Sequence, residues 1–213
     1  MKTIEQYYNI IWHNKPKDIL LAIEKAGRIC YKSENKITED SAIPFVERLI
    51  ASGHESVLEH QSFSVRFVTD RGVSHELVRH RLASFSQEST RYCNYSNAKF
   101  NNEVTFIIPT FLYGVGFNDP SDIHWTKAME DAEDRYFELI ADGLTPQDAR
   151  SVLPNSLKTE IMVTANIREW RTILKQRTSS KAHPQMRDLM TPLLFELDTC
   201  LTPLFHDIVD QNL

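Results

Sequence analysis

The sequence predicts an α+β fold: a single domain with a small antiparallel or mixed sheet flanked by long helices, richer in helix than in strand. Three observations predict it. Stretches at 16–33, 121–141 and 184–204 repeat apolar residues at helical spacing, whereas 61–69 and 157–165 carry the two-residue period of a strand. A length of 213 residues suits one domain with a sizeable core. The 41% apolar fraction, with only six glycines, favours a compact chain. No internal repeat, low-complexity tract or interdomain linker interrupts the sequence.

Taken in order, residues 2–12 read as a leading strand of weak alternation. Pro16 to Ser33 reads as a helix, with Ile19, Leu20, Ile23, Ala26 and Ile29 on one face and Pro16 in the first turn, where no backbone donor is needed. A second helix covers Ala42 to Ala51 and stops at Gly53. From Gln61 to Thr69, Phe63, Val65 and Phe67 define a strand with one mostly apolar face. Asp70-Arg71-Gly72 reads as a turn, and Val73 to Leu82 as a short helix. Residues 84–92 are extended or looped, and 93–103 form a polar connection. The apolar run from Val104 to Pro109 leads into a loop containing Gly, Asn and Pro.

Ser121 to Ala141 is amphipathic, with Ser121 as the expected cap and Asp122 in the first turn. Thr145-Pro146 opens a short helix whose Asp148 completes an analogue of a capping box. Leu157 to Ala165 is strand-like and leads into a helix from Ile167 to Gln176. A final helix runs from about Pro184 to Leu204, with Pro192 as an expected kink.

Composition narrows the function. A formal charge of -5 gives no overall attraction for polyanions, so nucleic acid is not an expected partner. Three scattered cysteines, Cys30, Cys93 and Cys200, make neither a disulfide scaffold nor a zinc ribbon, and suit a reducing, cytoplasmic compartment. Met1 to Asn14 lacks an apolar signal core, and no window approaches a membrane span. The chain reads as soluble, with no membrane partner.

Against that background Arg79-His80-Arg81 stands out, followed by Ser89, Arg91 and Tyr92. Guanidinium forks bond phosphate or carboxylate oxygens directionally, and imidazole donates to a ring carbonyl or stacks. On a helix the three consecutive side chains point about 100° apart, which divides them among several groups of a large ligand or among subunits. Ion pairing with Glu76 or Glu88 is the plain structural alternative.

His54-Glu55-Ser56-Val57-Leu58-Glu59-His60 matches neither orientation of the two-histidine zinc motif, so no metal site is expected. Arg150, Asn166, Arg168, Arg171, Arg177, His183 and Gln185 form a third group. In it Asn166 is placed to cap a helix or read a ligand edge, Arg177 to contact phosphate, and Arg171 to be a solvated helical residue. Cys30 and Cys200 read as buried structural cysteines, while Cys93 lies near the basic cluster without an evident base. Two competing readings of these residues stay open. One is a single-stranded nucleic-acid binder using Arg79, Arg81, Arg91, Tyr92 and Tyr95; the other is a metal-dependent phosphohydrolase at His54, Glu55 and His60.

Arg79-His80-Arg81, seven intervening residues and Ser89 resemble the signature of the flavin-dependent thymidylate synthases. Thr90-Arg91-Tyr92, Gly53-His54-Glu55-Ser56 with Glu59-His60, Leu153-Pro154, Asn166-Ile167-Arg168, and Arg177 with His183 and Gln185 fit the same family in order, over about residues 21–195. The resemblance implies a homotetramer with active sites shared between subunits. It implies FAD as cofactor, NADPH as reductant, and 5,10-methylenetetrahydrofolate as one-carbon donor, turning dUMP into dTMP and releasing tetrahydrofolate.

On this chain it implies FAD contacts or pocket support from His54, Ser56, Glu59, Arg79, His80, Arg81, Asn166, Arg168, Thr172 and His183. It implies dUMP contacts from Glu76, Arg79, Gln87, Ser89, Arg91, Arg150 and Arg177. Arg177 is the implied catalytic group, polarising the pyrimidine, and no cysteine adduct is required. Glu76, Gln87 and Thr172 depart from the residue types usual in the family, which puts the detailed contacts at those three positions in question.

Overall fold

A computed structural model describes residues 1–116 and 118–212 of the chain. It is 54% helical and 17% strand, the α+β class the periodicities predict. The chain divides into two compact units that interleave along the sequence. One comprises Met1–Tyr7, Phe67–Arg79 and Ser86–Ile161; the other comprises Tyr8–Arg66, His80–Phe85 and residues 162–212.

The first unit pairs β1 (Lys2–Ile4) in parallel with β5 (Thr105–Ile107), matching Lys2 to Thr105 and Ile4 to Ile107. The leading segment is thus two strands, because β1 ends at Ile4 and β2 (Tyr7–Ile11) begins afresh after Glu5-Gln6. The core of this unit gathers Tyr95, Val104, Phe106, Met129, Tyr136, Ala149 and Leu157. Tyr95 comes from the expected polar connection at 93–103, yet it is buried and its ring lies 5.6 Å from that of Tyr136.

Helix α3 (Arg71–Leu77) starts where a turn was expected. Asp70 caps it, its carboxylate accepting the Val73 backbone N–H at 2.7 Å, so Arg71 and Gly72 enter the first turn. The cap of α4 (Pro120–Ala141) is Asp119, not Ser121: its carboxylate accepts the Ser121 N–H at 2.8 Å, and Pro120 takes the first helical position. In α5 (Pro146–Ala149) the Thr145 hydroxyl donates to the Asp148 carboxylate, a side-chain pair in place of the full box.

A four-stranded sheet has the order β2-β3-β6-β4, with β3 (Ser62–Asp70), β4 (Ala83–Gln87) and β6 (Lys158–Asn166). As an inner strand, β3 is buried on both faces, so Ser64 is enclosed along with Phe63 and Val65. Its hydroxyl is satisfied by Thr164 at 2.6 Å and His13 at 2.9 Å.

Helix α1 (Pro16–Ile29) packs on α2 (Ala42–Ala51), and α2 ends on Gly53 at φ +68°. There the Gly53 N–H reaches the Ile50 carbonyl and the His54 N–H the Leu49 carbonyl, the paired bonds of a left-handed helix terminus. That terminus delivers His54 to the 3-10 helix Glu55–His60.

Helix α6 (Ile167–Arg177) buries Trp170 against Phe63, with ring centroids 5.0 Å apart and planes 9° from parallel. The long terminal helix is in fact two, α7 (Pro184–Cys200) and α8 (Thr202–Asn212). Pro192 is accommodated inside α7, and the break falls at Leu201, which is non-helical and precedes Thr202-Pro203.

Candidate functional site

The Arg79-His80-Arg81 cluster does not lie on a helix. Helix α3 ends at Leu77 with Val78 as its cap, and Leu82 adopts φ +62° before β4 begins at Ala83. The 100° division of side chains therefore does not apply. Instead the turning chain buries His80, 7% exposed, between the exposed Arg79 and Arg81.

In the second unit His80 meets α6. Its Nε2 accepts a hydrogen bond from Arg177 Nε at 2.9 Å, and its Nδ1 stands 3.7 Å from Glu169 Oε1. Arg177 is the last residue of α6, one position later than the expected helix end. Burial pushes the Glu169 carboxyl above its ordinary range.

The other second-unit candidates sit on three helix starts. Asn166 caps α6, its side-chain oxygen accepting the Glu169 N–H at 2.8 Å, which directs its amide N–H2 elsewhere. His183 caps α7, with Nδ1 accepting the Gln185 N–H at 3.2 Å; the remaining ring nitrogen then carries the proton and is a donor. His54 precedes the 3-10 helix that presents Ser56 and Glu59 at the surface. Glu59 accepts from Arg168 Nη1 at 2.6 Å, so these two residues are paired with each other. Thr172 is exposed, its hydroxyl donating to the Arg168 carbonyl.

Arg171 is not solvated. It is 7% exposed and clamped by Glu55 at 3.1 Å, by both oxygens of Asp207 at 2.8 and 2.7 Å, and by the Leu204 carbonyl. The clamp fixes the 3-10 helix and α8 to α6. A buried guanidinium requires such partners, and they come from distant parts of the chain.

The first unit holds Glu76, Arg79, Gln87, Ser89, Arg91 and Arg150. The Ser89 hydroxyl accepts the Arg91 backbone N–H at 3.3 Å, tightening the turn that exposes Arg91, whose guanidinium lies 5.5 Å from the Tyr92 ring. The Gln87 amide N–H2 is turned to the hydroxyls of Ser74 at 2.9 Å and Thr159 at 3.1 Å. Arg150 Nη1 donates to the buried Thr90 hydroxyl at 2.9 Å. Beside it, a cavity of about 210 Å³ is lined by Arg71, His75, Thr90, Arg150, Ser151 and Asn155 among others.

Arg71 and His75 were missed by sequence reasoning. Once α3 is seen to start at Arg71, their spacing of four puts them on one face of it. A larger cavity, about 700 Å³ and walled by Ile108, Leu112 and Trp125, contains none of the candidate residues.

Cys30 and Cys200 are exposed, not buried, because they fall at the ends of α1 and α7 where the apolar stripes have run out. Cys93 is half-buried. Desolvation, with the nearby Glu88 carboxylate, pushes its thiol upward, the wrong direction for a nucleophile. Among the described residues no group of three or more His, Cys, Asp and Glu side chains is placed to hold a metal ion, and no helix is long and apolar enough to cross a membrane.

Comparison with known proteins bears on this arrangement directly. The family model for Thy1, thymidylate synthase complementing protein, matches residues 12–201. The flavin-dependent thymidylate synthase of Geobacter sulfurreducens is 33% identical over 193 residues, covering 87% of this chain and 80% of that protein. The enzymes of the same name from Thermococcus onnurineus and Mycobacterium tuberculosis are each 33% identical, with coverage of 86% and 87% of this chain and 76% and 78% of theirs. A match of this extent, spanning both the His80–Arg177 contact and the Arg150 cavity, shows that the chain belongs to the thymidylate synthase complementing protein family.

Proposed function

We propose that the chain is a single-domain, cytoplasmic, FAD-dependent thymidylate synthase acting as a homotetramer with shared active sites. It converts dUMP to dTMP with 5,10-methylenetetrahydrofolate as one-carbon donor and NADPH as reductant, releasing tetrahydrofolate. The observation that carries this reading is the contact between His80 of the signature and Arg177, 97 positions apart, in a chain of this family.

The donor set of the second unit fits an anionic dinucleotide. Arg81 is exposed, Ser56 offers a hydroxyl, and the caps at Asn166 and His183 use acceptor atoms, which leaves their N–H groups for other partners. Arg79, Arg81, His54, Ser56, Asn166 and His183 would hold FAD, with Arg168 and Glu59 as a paired wall and Thr172 at the edge. Bound FAD supplies hydride chemistry.

The nucleotide is assigned to Glu76, Arg79, Gln87, Ser89, Arg91, Arg150 and Arg177. The Arg150 cavity, with Arg71 and His75 on its wall, suits a phosphate. Gln87 spends its amide N–H2 internally and contributes through its carbonyl oxygen. Arg177 polarises the pyrimidine, its positive charge stabilising the negative charge that develops on the ring.

Purified protein should bind FAD and show flavin absorbance that NADPH bleaches, faster with dUMP present. Turnover of dUMP labelled at C5 should require FAD, methylenetetrahydrofolate and NADPH together. Arg177→Ala should nearly abolish dTMP formation while FAD stays bound. A folded protein that never binds FAD, or wild-type turnover in Arg177→Ala, would overturn the reading.

A further inference from the structure

The contact between Arg177 and His80 carries information about protonation. A guanidinium only donates, so His80 Nε2 must present a lone pair to Arg177 Nε–H at 2.9 Å. In this arrangement the ring is neutral and its proton sits on Nδ1, the nitrogen that faces Glu169 at 3.7 Å. The His80 and Glu169 side chains are only 5% and 13% exposed, so water does little to equalise the two tautomers. The other tautomer would point an N–H at an N–H.

Geometry along α6 makes this a device for orientation. Glu169 is in the first turn, its own N–H fixed by Asn166, and Arg177 is the last residue, about 12 Å further along the axis. His80 bridges the two ends. Holding Nε sets the rotation of the guanidinium plane and so aims the fork formed by the terminal nitrogens. An unanchored arginine at a helix end would spread that fork over many rotamers.

We propose that Glu169 is a positioning residue: its carboxylate selects the Nδ1–H tautomer of His80, and that tautomer aims the Arg177 guanidinium at the substrate pyrimidine. This rests on the reading of Arg177 as the polarising group. Glu169 itself touches neither substrate nor cofactor in the proposal. A glutamine at 169 has no charge to favour an N–H on Nδ1, and its amide can donate to Nδ1 and select the wrong tautomer.

The test has two arms. In histidine-selective 15N NMR of the wild-type protein, the Nε2 of His80 should resonate as an unprotonated acceptor and Nδ1 as protonated; the resonance is assigned with His80→Asn. In Glu169→Gln the two nitrogens should move toward a mixture. Kinetically, Glu169→Gln should lower kcat on the order of tenfold to a hundredfold. Its FAD content and KM for dUMP should stay within about threefold, and Glu169→Asp, which keeps the charge, should recover part of kcat.

A protonated Nε2 in the wild-type spectrum, or wild-type kcat in Glu169→Gln, would overturn the proposal. So would a loss in which kcat, FAD content and stability fall together in every Glu169 variant, since that marks a purely structural role. The NMR arm requires no turnover. A protein that makes no dTMP thus defeats the functional reading while leaving the tautomer decided separately.

Discussion

Replacing Arg171 by methionine keeps the apolar stem and deletes the guanidinium that joins α6 to Glu55, Asp207 and the Leu204 carbonyl. Breaking a buried ion pair from one side costs about 3–5 kcal/mol when the stranded carboxylates stay dry. Here Glu55 and Asp207 are 32% and 36% exposed, so water recovers part of that loss. A destabilisation of about 2–3 kcal/mol follows, which for a chain of this length lowers Tm by roughly 5–10 °C. Urea and thermal unfolding of wild type and variant, compared at one protein concentration, measure it. Adding Asp207→Leu should restore part of the loss by removing an orphaned charge. A single variant within about 0.5 kcal/mol of wild type would refute the argument, because a change that small is typical of a solvated surface residue.

Further outcomes follow from local geometry. A thiol reagent should modify the exposed Cys30 and Cys200 well before Cys93, whose thiol is raised by burial and by Glu88, and Cys93→Ser should retain dTMP synthesis. His206 Nδ1 lies 3.2 Å from Asp198, and that hydrogen bond raises its pKa from the ordinary 6.5. Its stabilisation is therefore complete below about pH 6.5 and is lost as pH rises through the raised folded value. His206→Asn should lower Tm near pH 5.5, not near pH 9, and added salt should shrink the difference. Gly27→Ala should destabilise by about 1 kcal/mol despite better helix propensity. The new Cβ would lie 2.7 Å from the Phe45 ring, which also carries the Arg28 guanidinium at 4.7 Å. Equal or higher unfolding midpoints for that variant would show that the ring gives way freely.

Much of the fold was legible because its causes are local. The Ala42–Ala51 helix and its stop at Gly53 came from periodicity and a residue that accepts positive φ. Ile161, Val163 and Ala165 alternate into the core as the strand pattern required. Boundaries that depend on side-chain caps were less legible. Asp70 and Asp119 each start a helix, but an aspartate one or two residues before a proline or glycine is equally at home in a turn. Periodicity carries the final helix past its break because Leu201 is apolar and in phase, and only the backbone shows the interruption.

The sequence by itself determined the class of fold, the family and the chemical types of the candidate groups. Each of these resides in residues close together along the chain or in their order. Tertiary structure alone decided which polar groups hold one another. It brought Arg171 to Glu55 across 116 positions and turned an apparently solvated residue into a buried clamp. It placed His80 between Glu169 and Arg177 when the sequence put it on a helix with its neighbours. The physical reason is range: backbone propensity and capping act over a few residues. The desolvation that forces a buried charge to find a partner acts on whatever packing has brought within about 4 Å.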